Sequence, residues 1–146
     1  MGKYIRELVE YSGIDDCPYT DWINFKEISL DSNFCIPDNK PNIKSLLKVH
    51  GETKVDSYEI VQTPNLRALL TGKVTLSYQY IANNLAETVH FETTTIPFID
   101  FIPLPSDFNT QAIILPVASI KYIYCNLIDA KCMLNSLILM LSVETY

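Results

Sequence analysis

The side chains able to do chemistry in this chain are few and widely spaced: Cys17, Cys35, Cys125 and Cys132, His50 and His90, and an acidic group of Asp15, Asp16 and Asp21. The cysteines form no CxxC pair and have no histidine close by, so their spacing does not support a structural zinc site. Two fates remain open for them. They are either reduced, buried thiols, as in a cytosolic chain, or disulfides formed within or between subunits after exposure to oxidant, and all four are then candidates. Cys125 and Cys132 flank the turn Asp129-Ala130-Lys131, which sets Ile128 opposite Cys132 and leaves Cys125 three positions further down the facing strand. A bridge between those two would be strained. Cys17 sits in the extended, proline-flanked stretch Asp15-Asp16-Cys17-Pro18 and is the better placed to reach another chain.

Both histidines occupy strand positions, and neither has a carboxylate and a cysteine beside it in a recognisable arrangement. A nucleophile pair of His90 with Cys125 or Cys132 could meet only through the fold, and satisfied strand histidines are far commoner. The acidic group lacks the alternating oxygen ligands and central glycine of a calcium loop, so a solvated acidic arm is the simpler reading. Phosphate-loop, dinucleotide, serine-hydrolase and zinc-protease motifs are absent from the sequence. These observations predict a non-enzymatic chain with no catalytic residues, no cofactor and no metal.

Of 146 residues, 48% are hydrophobic and 19% charged, against about 25% charged in ordinary domains. The surface therefore exposes more neutral or apolar area than usual, which suits either a well-filled core or a protein held against neighbours. The formal charge is −6 and the lysines are scattered. That balance argues against nucleic acid, which needs clustered Lys and Arg, and against an anionic membrane surface. The opening residues lack the apolar run of a signal peptide, and the apolar stretch 134–143 is interrupted by Asn135, Ser136 and Ser142 and is too short to span a bilayer. Cytosolic synthesis is the expectation.

The elements that must position these groups read as β structure. Val74, Leu76, Tyr78 and Tyr80 alternate with Lys73, Thr75, Ser77 and Gln79, the period of a strand with one buried face. Ile120, Tyr122 and Tyr124 alternate as well, and the partner segment 132–143 is apolar on both faces, as in a central strand or one covered by a neighbouring subunit. With shorter segments at 46–50, 55–61, 88–94 and 113–117, the prediction is an all-β antiparallel sandwich or barrel-like domain of about seven or more strands over residues 29–146. Pro97 makes its run an edge strand or one entered at Phe98. Helical spacing is confined to Ile5, Leu8 and Val9 and to a single turn at 42–47.

Residues 1–28 carry aromatics and acids without sustained alternation and read as an extended arm, docked on its own domain or exchanged into a neighbour. In the exchanged form main-chain hydrogen bonds complete a sheet, while Trp22, Ile23 and Phe25, with Cys17, are the subunit-contact candidates. The nine tyrosines suit either strand packing or subunit contacts.

The ordered series 40–49, 55–64, Leu70-Thr71-Gly72 followed by the alternating run 73–82, then Val89-His90-Phe91-Glu92 and the run 98–105, resembles the SPOCS domain of spore-coat-associated proteins in spore-forming anaerobic bacteria. Glu7-Leu8-Val9-Glu10-Tyr11-Ser12-Gly13-Ile14 and the segment 120–143 extend the likeness over nearly the whole chain. The resemblance implies a structural protein of the spore surface (coat, exosporium or appendage), made in the mother cell and released by its lysis. Within that frame two roles compete: a homopolymer that builds a fibre or layer by strand addition, with disulfides locking neighbours, or an adaptor that recruits other spore-coat proteins through an exposed sheet edge. A single module with nothing appended favours the first.

Overall fold

Period-two alternation is realised as seven strands in the computed structural model, which describes residues 9–15 and 24–145. They are β1 (Glu10–Ser12), β2 (Asn24–Cys35), β3 (Ile43–Val61), β4 (Arg67–Ala82), β5 (Val89–Pro103), β6 (Ile114–Leu127) and β7 (Cys132–Thr145). Two sheets form, in the orders β1-β3-β4-β5 and β2-β7-β6. All neighbours are antiparallel except β1, which runs parallel to β3. The expected all-β sandwich is the observed architecture.

Between the sheets, β4 turns Ala68, Leu70, Val74, Leu76, Tyr78 and Tyr80 into the core, and β7 answers with Met133, Leu137, Leu139, Leu141 and Val143, all essentially inaccessible to water. Full burial of a large apolar side chain contributes about 1.5–3 kcal/mol, so these two strands supply a large share of the cohesion. β7 is the middle strand of its sheet, its inner face buried and its outer face half covered at Ile138 and Met140 and exposed at Leu134.

The short segments read from the sequence merge into longer strands. The turn of helix expected at 42–47 is instead the start of β3, where Ile43, Leu46 and Val49 are buried at intervals of three. Register shifts between Ile43 and Ser45 and between Leu46 and Lys48 produce that spacing. Each bulge adds one residue, so a strand's period of two becomes an apparent period of three. Leu70-Thr71-Gly72 lies inside β4, where Gly72 leaves room for the Lys54 carbonyl and the Phe98 ring. Pro97 sits in β5 opposite Lys73, and β5 is an edge strand, the place where a residue without an N–H is tolerated.

Both described parts of residues 1–28 lie on the protein's own domain. β1 pairs with Lys48, Val49 and His50 of β3. The start of β2 pairs with β7, Phe25 opposite Ser142. On the β2 and β5 side the sheets are tied by Lys26 Nζ and Asp100 Oδ1 at 2.7 Å.

Candidate assembly seam

Where β3 and β6 face each other across the sandwich, the extended segment 9–15 fills the gap between two sheet edges. Its first half pairs with β3, and its second half crosses to β6, where Ile14 makes a parallel bridge to Ile120 and the Asp15 N–H donates to the Ile120 carbonyl at 2.8 Å. The crossing occurs at Gly13, whose φ of 84° is the left-handed region. A Cβ there would fall 1.9 Å from the Gly51 carbonyl oxygen, and one on Gly51 would fall 2.5 Å from Ile120 Cδ1. Two glycines thus permit the close approach on which the seam depends.

Tyr11 fastens the segment to β6. Its hydroxyl accepts from the Cys125 N–H at 3.0 Å and lies 3.4 Å from the Cys125 carbonyl. Burial raises the Tyr11 phenol above its ordinary range, partly offset by the backbone hydrogen bond to Cys125. Tyr11→Phe leaves the Cys125 N–H without its acceptor and is expected to cost about 1–3 kcal/mol. The urea midpoint of the variant against the native chain measures this.

Past Ala118 the seam is empty of strand among the described residues. Thr53 Oγ1 donates to the Ala118 carbonyl at 2.6 Å. Beyond this tie a groove of about 380 Å³ opens between Thr53 and Val55 on one side and Leu115, Pro116, Val117 and Ala118 on the other. β1 pairs with β3 only as far as His50, and β6 has β7 as its only sheet neighbour among the described residues. The groove is therefore bordered by two strand edges, a form that accepts an added strand.

Inside, a polar line runs from the seam across the second sheet. The Cys125 thiol donates to Asn135 Oδ1 at 2.9 Å, and Asn135 Nδ2 reaches Ser32 Oγ at 3.4 Å. Burial pushes the Cys125 thiol from 9.0 up to about 12 and raises the Tyr78 phenol well above its usual range. Both groups hold their protons in the folded state at pH values where the unfolded chain has lost them. Their stabilising contribution is complete below pH 9 and is lost as pH rises through about 12 for Cys125. Unfolding free energy is expected to fall above pH 9 by about 1.4 kcal/mol per pH unit per titrating group. Urea midpoints from pH 8 to 11 test this, and Cys125→Ser should delay the onset into the tyrosine range.

The remaining chemistry-bearing residues are distributed as follows. Cys35 and Cys132 form a disulfide between directly paired positions of β2 and β7. Cys125 is not a disulfide partner but a buried free thiol, because its place opposite Asn135 turns it into the core. The Cys–His pairing is not formed: Cys132 is oxidised, and His90 Nε2 lies 2.8 Å from Thr88 Oγ1 with its ring stacked on Tyr80. Cys17, Trp22, Ile23, Asp16 and Asp21 lie outside the described residues. Phe25 is exposed on the outer face of β2. Among the described residues no group of His, Cys, Asp and Glu could hold a metal ion.

One arrangement was missed in the sequence. Ser12 Oγ lies 2.7 Å from His50 Nδ1, and His50 Nε2 lies 3.2 Å from Glu52 Oε1. Glu52 is two residues beyond His50, hence on the same strand face, which is the signal that could have found it. The line borders a shallow cavity of about 180 Å³ that Lys48, Ser77, Gln79 and Phe91 also line. Its structural effect is to hold β1 against β3.

No family model, curated protein or solved structure matches this chain. The outer faces supply the last surface features. β5 exposes Val89, Phe91 and Ile99 beside Phe101, over which the Arg67 guanidinium lies 4.3 Å from the ring centre. Tyr122 and Tyr124 stand half exposed on β6, whereas Tyr78 and Tyr80 are core residues.

Proposed function

We propose that this chain is a non-enzymatic structural protein that assembles with copies of itself by adding a strand across open sheet edges. The observation that carries this reading is the seam, filled by segment 9–15 beside Lys48 to Gly51 and, among the described residues, open as an apolar groove from Thr53 to Val55. The low charge content and the exposed apolar side chains of β5 and β6 support a life against neighbours. A spore-surface address rests on the resemblance of the ordered segments to the SPOCS domain. Of the four cysteines, Cys35 and Cys132 are bonded to each other and Cys125 is a buried free thiol, which leaves Cys17 as the candidate for a bond between subunits.

An adaptor role is the second reading, favoured by the apolar row Val89, Phe91, Ile99 and Phe101 along the edge strand β5. Light scattering of the purified full chain across a concentration series separates the two. A mass that grows through successive multiples of the subunit supports assembly. A fixed monomer or dimer mass favours the adaptor.

A further inference from the structure

Ser12 is the last residue of β1, directly opposite His50 of β3, and the chain turns away at Gly13 immediately after it. Strand pairing therefore fixes the serine against the imidazole, with Oγ 2.7 Å from Nδ1. The third member of the line decides where the proton sits. The Glu52 carboxylate only accepts, so the His50 Nε2 that lies 3.2 Å from it carries the hydrogen. In the neutral ring Nδ1 is then unprotonated, and the Ser12 hydroxyl donates to it. A hydroxyl donating to an imidazole whose far nitrogen is held by a carboxylate is the arrangement that activates serine as a nucleophile.

The cavity of about 180 Å³ lies beside this line. Its other walls come from the next row of the same sheet face, where Lys48 stands opposite Gln79 and Gln79 opposite Phe91. Lys48 and Gln79 bring an ammonium and an amide, donor types that stabilise the oxyanion of acyl transfer. The ion pair of Lys48 with Glu10 is a loose one, at 4.0 Å. Phe91 is 67% exposed and offers a bare ring to an apolar acyl group. Nucleophile, base, donors and apolar wall share one side of the sheet.

We propose that Ser12 is an acyl-acceptor site: activated by His50, it takes a short or aromatic acyl group from an activated ester. Ser12 Oγ attacks the carbonyl carbon while its proton passes to His50 Nδ1, and the imidazolium is held by Glu52. The tetrahedral intermediate then collapses. The bond to the leaving oxygen breaks, and that oxygen takes the proton from His50. One ester is cleaved and one is formed on Ser12, with nothing oxidised or reduced. The site goes beyond the assembly reading and does not depend on it, because a chain that acylates its own serine is modified rather than turning over a substrate.

The test adds p-nitrophenyl acetate to the folded full chain and follows intact mass and peptide maps. One acetyl group per chain should appear on Ser12, as an ester that alkaline hydroxylamine removes. His50→Gln should slow this acetylation about 10²-fold or more. Glu52→Gln keeps an acceptor for the imidazole N–H and removes the charge, so it should slow the reaction while the urea midpoint stays the same. A fluorophosphonate probe, which labels activated serines and spares amines, should label Ser12 in the native chain, and this arm needs no variant to fold. Acetyl groups confined to lysines, with Ser12 unlabelled by either reagent, would overturn the proposal. Labelling of Ser12 at an equal rate in His50→Gln, or in urea, would also overturn it, since the residue would then be an ordinary exposed hydroxyl.

Discussion

Chains with serine at both Cys35 and Cys132 are expected to lose about 4–5 kcal/mol of stability, because the bond closes a long loop and restricts the unfolded chain. The two cysteines are 97 residues apart in sequence yet directly opposite in β2 and β7. The bond thus fastens the edge strand β2 to the central strand of its sheet at the end far from Asn24. Urea unfolding of the double variant and of the native chain in reductant should show the same lowered midpoint. Equal midpoints for native and variant chains would show that the bond contributes nothing. Because the bond is internal, its loss is expected to soften the subunit without cutting an assembly. Reductant that released subunits would point to Cys17.

Gly13→Val is expected to cost about 2–4 kcal/mol and to detach segment 9–15. A branched residue in the left-handed region costs about 1–2 kcal/mol by itself. The added Cβ would also lie 1.9 Å from the Gly51 carbonyl oxygen, a backbone atom fixed in the middle of β3. The segment must move, and with it go the Asp15 to Ile120 hydrogen bond and the Tyr11 contact with Cys125. Amide hydrogen exchange reads this locally: the Cys125 N–H should exchange faster while amides between β4 and β5 keep their protection. Unchanged exchange at Cys125 would mean that the crossing at Gly13 does not hold the seam.

The fold was legible where alternation is regular. Val74, Leu76, Tyr78 and Tyr80 announce the buried face of β4, and the apolar run 132–143 announces a central strand. The hairpin register was also readable, because Asp129-Ala130-Lys131 fixes Ile128 opposite Cys132 and therefore Cys125 opposite Asn135. Two bulges in β3 concealed a strand as a turn of helix at 42–47, since added residues change the phase of burial. The Cys35 to Cys132 bond was not readable as a pair, because spacing along the chain does not give the register of β2 on β7. The seam was the least legible feature. It depends on Gly13 and Gly51 meeting across 38 positions and on two edges from different sheets, none of which leaves a periodic trace. Phe25, read as a subunit contact, lies in β2 opposite Ser142 with its side chain exposed.

The most direct test of strand-addition assembly is negative-stain electron microscopy of the purified full chain before and after boiling in detergent, with and without a thiol reductant. Regular fibres or sheets are expected before boiling, and they should persist in detergent without reductant. Uniform particles of monomer or dimer mass under every condition would contradict strand-addition assembly.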